Sequence, residues 1–459
     1  MAGGPSTDQK VVGAQEGLVE SASHERAPNG RVEVVTQREL FWAWLPLWVS
    51  WFAMALEVPV ITSAISRLPD PAVNLAALGG ILIPVSFIIE APILMLLSAA
   101  TALCRDRLAY RFLFRVMMVL GSVLSVVHLL IALTPLYDTI TRDILGCPEE
   151  VREAARVGFL VMTPWTWSIA YRRFLQGVVI RLGRSRVVGF GTVVRLATNI
   201  VTVLVCFYGI EAGGALTGAA ALTAGVMAEA LFIGVAARVV VRERLREADP
   251  VVEPLTLPRF FYFYAPLALT ALLDFLIQPL SSGALSRMPE PVTGLALLPV
   301  VGGLMFLLRG PGFAFNEVVI SKHGREGAAL ELARFARRLT LLSGAVGLLF
   351  MATPLGAVWF SGIVKLPPEM VVLARQALWL ALPTLLAATV KSLYGGTLVS
   401  LHRTRAISEG TILYVLTFGF VVSVGIVGQS SAGIFVVIGA MSTAAVVQVL
   451  WLRKRSLER

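Results

Sequence analysis

A hydrophobic segment near the start of the chain returns 220 residues later, and this repetition limits the possible architectures more than any other feature. Pro46-Leu47 opens an apolar run that contains Pro59 and closes on Ser66-Arg67-Leu68-Pro69-Asp70-Pro71. Pro266-Leu267 opens another that contains Pro279 and closes on Ser286-Arg287-Met288-Pro289-Glu290-Pro291. The register continues without a gap to Leu75-Ala76 and Leu295-Ala296. A duplicated apolar unit of this size predicts two homologous helical bundles facing each other across a cleft, a construction common among membrane carriers.

Composition supports the membrane. Of 459 residues, 56% are hydrophobic and 15% charged, and mean hydropathy is +0.78. Soluble domains carry about 25% charged residues. Apolar runs of about 20 residues, each able to cross roughly 30 Å of hydrocarbon, recur along the chain. Twelve spans are predicted, near 40–63, 72–101, 110–134, 156–179, 187–209, 215–240, 259–282, 292–320, 336–360, 371–394, 406–428 and 431–452. The expected fold is an all-α polytopic membrane protein in two parallel six-helix repeats. Residues 1–38 are polar and lack a signal-peptide pattern, so a disordered cytoplasmic arm is expected there. The stretch 242–258, with Pro250, Pro254 and Pro258, reads as a cytoplasmic linker between lobes 39–241 and 259–452, with a basic tail at 453–459.

Arginine placement sets the orientation. Loops after even-numbered spans hold Arg105, Arg107 and Arg111, then Arg181, Arg184 and Arg186, then Arg242, Arg244 and Arg246, then Lys322 and Arg325, then Arg403 and Arg405. Loops after odd-numbered spans hold Arg67, Arg287 and Lys365 almost alone; in the longer loop near 135–155, acids balance Arg142 and Arg152. By the positive-inside rule both termini are cytoplasmic and the protein sits in the inner or plasma membrane. The net charge of +10 then belongs to one membrane face and does not require nucleic acid.

Several chemistries are excluded. Cys104, Cys147 and Cys206 are widely spaced without a CxxC pair, and the four histidines show no HxxxH or HExxH spacing. Neither a GxxxxGK[ST] phosphate loop nor a GxSxG elbow is present. The chain reads as no enzyme, with no metal or cofactor beyond a coupling ion. The bilayer and a small-molecule or lipid-linked substrate are its partners, and a monomer is expected.

Ionisable groups inside a bilayer cost at least about 2.5–3.5 kcal/mol each on insertion scales, so each needs a partner or a wet cavity. Glu57 precedes Pro59 by two residues, and Asp274 and Gln278 share a helix face just before Pro279. Each proline frees a backbone carbonyl one turn earlier. Glu90 and Arg309 stand at nearly equivalent points of the repeat, one residue out of register, before Pro92 and Pro311. Opposite charges there are positioned to pair across the cleft or within one bundle. Arg195 and Asn199 suit an anionic group, with Glu229 as an alternative partner for Arg195. His128 is either a proton relay or a helix-bridging group. Glu57, Asp274, Gln278, Glu90, Arg309, Arg195, Asn199 and His128 are therefore the substrate- or ion-binding candidates, with Pro59, Pro279, Pro92 and Pro311 as hinges. Asn316-Glu317 lies near the cytoplasmic end of span eight, as a gate or a solvated face. Trp42, Trp44, Trp48 and Trp51 read as interfacial anchors first and as a substrate-stacking wall second.

The order and spacing of these features resemble the multidrug, oligosaccharidyl-lipid and polysaccharide exporter superfamily, and within it the progressive ankylosis protein family. Pro46-Leu47, Cys104-Arg105-Asp106-Arg107, Val127-His128-Leu129 with Ile131-Ala132, and Tyr264-Ala265-Pro266-Leu267-Ala268-Leu269 leading to Pro279 carry the resemblance, over most of residues 40–450. It implies a V-shaped, MATE-like alternating-access carrier and, in the animal branch, export of anions such as pyrophosphate, ATP or citrate. Animal members place basic residues in the middle of span seven, where this chain has Asp274. The expected function is H⁺- or Na⁺-coupled export of a small organic or phosphorylated anion. A lipid-linked glycan flippase, a multidrug or cation exporter, and a non-transporting scaffold are the alternatives.

Overall fold

A computed structural model describes residues 35–210, 213–244, 255–325, 327–401, 403–429 and 432–458. Residues 1–34 of the expected arm and most of the expected linker lie outside the described residues. Among those described, eleven helices are long and apolar enough to cross a membrane. They are α1 (Gln37–Ile65), α2 (Pro71–Leu103), α3 (Arg107–Leu133), α5 (Arg186–Gly209), α6 (Gly214–Glu243), α7 (Leu257–Leu285), α8 (Pro291–Lys322), α9 (Ala328–Ala352), α10 (Pro368–Ser400), α11 (Thr404–Gly428) and α12 (Gly433–Leu457). The position expected for span four holds α4, made of Glu149–Val161 and Thr163–Arg181. It is as long as α10 but breaks at Met162 and carries several arginines, which lowers its apolarity. The residues expected as a basic tail continue α12 to Leu457.

Local sequence explains the ends. Thr36 accepts the Glu39 N–H at 3.2 Å to start α1, and Asp106 accepts the Ala109 N–H at 2.7 Å to start α3. Asp70 and Glu290 adopt left-handed conformations (φ 50° and 52°) immediately before Pro71 and Pro291, which open α2 and α8. The duplicated Ser-Arg-x-Pro-acid-Pro string is therefore a tight inter-helix turn, built twice.

The prolines act as expected in α1 and α7. The two helices break at Leu56 and Leu276, one turn before Pro59 and Pro279, where the proline has no N–H to return. Each half before the break packs chiefly on the other repeat: Gln37–Ala55 on α8, and Leu257–Phe275 on α2. Trp44 Nε1 donates to the Pro311 carbonyl at 2.9 Å, and Tyr264, at the matching position of the repeat, donates its hydroxyl to the Pro92 carbonyl. Glu39 extends the first contact through ion pairs to Lys322 (2.6 Å) and Arg325 (2.7 Å). At the other end, Arg67 reaches the Ile363 carbonyl and Arg287 reaches the Ile144 and Leu145 carbonyls, again across the repeats.

Beyond Leu75 and Leu295 the repeat shifts by one residue: Pro92 answers to Pro311, Pro148 to Pro367 and Pro164 to Pro383. The additional residue of the first repeat is absorbed by a π-helical turn at Leu78–Leu82, whereas α8 runs through as α-helix. One inserted residue would turn everything downstream by about 100° in a regular helix. The π turn takes up that rotation, so Glu90 regains the position that Arg309 holds in the second repeat. Helix α8 also continues unbroken through Pro311, while α2 breaks at Met95, three residues after Pro92.

Candidate functional site

The polar groups expected inside the membrane gather into two clusters, one in each repeat. In the first, Glu57 opens the segment after the α1 break and is held from α5: Asn199 Nδ2 donates to Oε1 at 2.7 Å, and Arg195 lies 3.3 Å from Oε2. Arg195 also approaches Glu229 of α6 at 3.7 Å. Glu229 is itself bound from α4, by Arg172 at 2.5 Å and by Gln176 at 2.9 Å. Glu229, Arg172, Arg195, Asn199 and Gln176 are buried. The network thus ties α1, α4, α5 and α6 together around charges that satisfy one another. Breaking it would leave an uncompensated buried charge, although its formation need not add net stability.

Glu90 of α2 is 1% exposed, and neither carboxylate oxygen has a hydrogen-bond partner among the described residues. Its charged neighbours are Arg172 and Arg173 of α4. The cross-cleft pair between Glu90 and Arg309 is not formed. Repeat-equivalent groups occupy equivalent places in their own bundles, so Glu90 looks toward α4 and Arg309 toward the corresponding α10.

The second cluster is built from Asp274 at the end of the first half of α7, Arg309 of α8, Lys391 of α10 and Tyr414 of α11. Asp274 interacts electrostatically with Lys391, Lys391 also with Arg309, and Tyr414 with both Arg309 and Asp274. The Arg309 guanidinium lies 5.0 Å over the Phe313 ring. Neither Arg309 nor Lys391 has a hydrogen bond or ion pair among the described residues. Asp274 is surrounded by protein yet exposed to solvent, and the other three are half-buried, as expected of groups on a cleft wall. Gln278 is half-buried and stands apart from these contacts.

The one-residue shift shows how the clusters correspond. Arg172 is equivalent to Lys391, Glu90 to Arg309, Arg195 to Tyr414 and Glu229 to Gln448. The first cluster sets Glu57, Glu90 and Glu229 against Arg172, Arg173 and Arg195. Its counterpart sets Asp274 alone against Arg309 and Lys391. One design has been neutralised in the first repeat and left cationic in the second.

His128 lies outside both clusters. Nε2 is 3.0 Å from the Phe159 carbonyl and Nδ1 is 2.9 Å from the Thr166 hydroxyl, with the ring stacked on Phe159 at 4.3 Å. A carbonyl accepts only, so Nε2 carries the hydrogen, and in the neutral ring Nδ1 accepts from Thr166. Phe159 and Thr166 flank the α4 break at Met162, and the fully buried histidine splints it. It is a helix-bridging group. Of the tryptophans, Trp44 is buried and stacks on Trp48 (5.3 Å), and Trp51 meets Phe313 (5.2 Å), so these line the α1–α8 seam, while Trp42 is exposed. Sequence reasoning missed Arg172, Arg173, Lys391 and Tyr414. The adjacent arginines in the middle of span four, and a lysine in the middle of span ten at the equivalent position, were the available signal.

No protein-family model matches the chain, and no curated protein matches its sequence. Solved structures do match. An inward-facing multidrug resistance MATE family transporter of the MOP superfamily has a TM-score of 0.70 at 17% identity, over 90% of this chain and 97% of that one. The lipid II flippase MurJ in an inward closed conformation has 0.66 at 14%, over 88% and 87%. A MOP superfamily transporter from Pyrococcus furiosus has 0.62 at 17%, over 92% and 98%. At such identities the shared property is architecture: the chain has the MATE-like fold.

Proposed function

We propose that this chain is an alternating-access secondary carrier that exports a small organic or phosphorylated anion across the cell membrane, with H⁺ or Na⁺ as the coupling ion at Glu57 or Asp274. The carrying observation is the pair Arg309 and Lys391, two half-buried cations for which Asp274, beside Lys391, is the one acidic neighbour among the described residues. Uncompensated charge at mid-membrane depth is costly and is kept where it meets a substrate or water. The basic character that animal relatives carry in span seven is supplied here from α8 and α10. The Pyrococcus furiosus transporter of this fold is described as having a binding pocket of reverse polarity that suggests a different function. Cleft polarity is accordingly the property on which this reading rests. With the arginine-rich loops in the cytoplasm, the end tied by Arg67 and Arg287 is the outer one and the cleft loads from inside.

The test is ligand-induced thermal stabilisation of the purified protein by pyrophosphate, ATP and citrate, with tetraphenylphosphonium as the cationic comparison. At least one anion should raise the melting temperature, and Arg309→Ala with Lys391→Ala should abolish that rise. Stabilisation by the cation alone would sink the anion reading, and stabilisation by a polyprenyl phosphate alone would move it to a lipid-linked substrate. In proteoliposomes, Asp274→Asn should insert normally but lose gradient-driven accumulation while retaining exchange between equal pools. Retained accumulation would shift coupling to Glu57.

A further inference from the structure

We propose that Arg67 and Arg287 form a paired clamp that holds one end of the molecule shut, and that the simultaneous release of both opens that end during transport; the role in a cycle rests on the carrier reading above. The two arginines are equivalent in the duplicated turn, and so are their targets. Arg67 donates through one nitrogen to the Ile363 carbonyl at 2.9 Å. Arg287 donates to the Ile144 carbonyl at 2.8 Å and the Leu145 carbonyl at 3.0 Å. Ile144 and Ile363 are the corresponding residues of two π-helical segments, Thr139–Ile144 and Val358–Val364. The chain leaves these segments through left-handed residues, Gly146 (φ 73°) and Lys365 (φ 66°). A helix end of this kind presents carbonyls with partial negative charge, which suits a guanidinium.

Each arginine is also braced on its own helix. Arg287 donates to the Gly283 carbonyl at 2.7 Å, and Arg67 to the Ser63 hydroxyl at 2.5 Å and to the Ser63 carbonyl. In Arg67, Nη1 grips home and Nη2 reaches across; in Arg287, Nη1 does both and Nη2 reaches across, a use of two nitrogens that a lysine cannot reproduce. Ser63 adds its own bond to the Ile363 carbonyl at 2.7 Å. The acceptors in all these cross-repeat bonds are carbonyls, and no carboxylate takes part. When the end opens, water can take over both partners, so the clamp releases without stranding a charge. Because the two halves of the clamp act in parallel at the same end, losing one should leave the other holding.

The test needs neither substrate nor gradient, so the carrier reading can fail while this one stands. Nitroxide labels at Glu150→Cys and Glu369→Cys, exposed and equivalent positions at the starts of α4 and α10, report the separation of the two repeats at this end. The background replaces Cys104, Cys147 and Cys206, and the protein is measured in lipid nanodiscs by pulsed dipolar spectroscopy. The parent should give one short separation. Arg67→Ala or Arg287→Ala should raise a longer separation about tenfold in population, and the double variant should make it the major species. Arg67→Lys with Arg287→Lys should fall between. An unchanged distance distribution in the alanine double, or in the lysine double if the alanine double does not fold, overturns the clamp.

Discussion

Arg172 and Arg309 occupy the same kind of membrane interior and are used in opposite ways. Arg172 is bound to Glu229 within a buried network, so Glu229→Ala should leave it without its hydrogen-bonded partner and cost about 3–5 kcal/mol, seen as a lower melting temperature in detergent. Arg309 has no counter-ion to strand, so Arg309→Ala should hardly move the melting temperature while removing anion-induced stabilisation. His128→Ala deletes two hydrogen bonds that hold the α4 break and should cost about 2–3 kcal/mol. The pH profile of transport should be the same in a folded His128→Gln variant, because both ring nitrogens are already held by the Phe159 carbonyl and the Thr166 hydroxyl. The sequence exposed the acids of both clusters because an Asp or Glu stands out in an apolar run. Apart from the approach of Arg195 to Glu229, it concealed which basic group faces each acid, since that depends on the rotation of α4 and α10 about their axes.

At the scale of a helix, the π turn in α2 is the feature with the widest reach. A Cβ added at Gly79, inside this turn, would lie 2.3 Å from Cδ of Pro299 on α8 and 2.8 Å from the Leu295 carbonyl. Gly79→Ala should therefore destabilise by about 1–3 kcal/mol or push the repeats apart at this crossing, readable as a lower melting temperature. Deleting Gly80 should convert the π turn into regular helix, as in α8, and leave Glu90 facing Arg172 and Arg173, because the turn holds only the additional residue. The expected result is a folded, membrane-inserted protein with a melting temperature close to the parent's, whereas inserting an alanine after Ile83, beyond the turn, should rotate Glu90 by about 100° and lower the melting temperature. Prolines at 59 and 279 marked their breaks in the sequence correctly, because a missing N–H acts locally. The insertion in α2 was visible only as an apparent misregister of Glu90 and Arg309. Nothing local distinguishes a helix that rotates from one that bulges.

For the molecule as a whole, the duplicated first hairpin carried most of the architecture, and the arginine-rich loops are the basis of the proposed orientation. A reporter fused near Arg184 or after Leu457 should be cytoplasmic and one near Pro289 external, and an external C-terminus would overturn the parallel-repeat topology. What the sequence could not reveal is the exchange of half-helices, because a stretch of Trp, Leu and Phe packs equally well on its own bundle or on its neighbour. That exchange sets a clock for biosynthesis. Trp44 finds its partner carbonyl 267 residues downstream, at Pro311. At ordinary rates of synthesis, about 5–20 residues per second, Pro311 is made on the order of 15–50 s after Trp44. Through that interval the tryptophan-rich start of α1 waits with its docking face uncovered, so a nascent chain stalled before α8 should be the form most exposed to quality control.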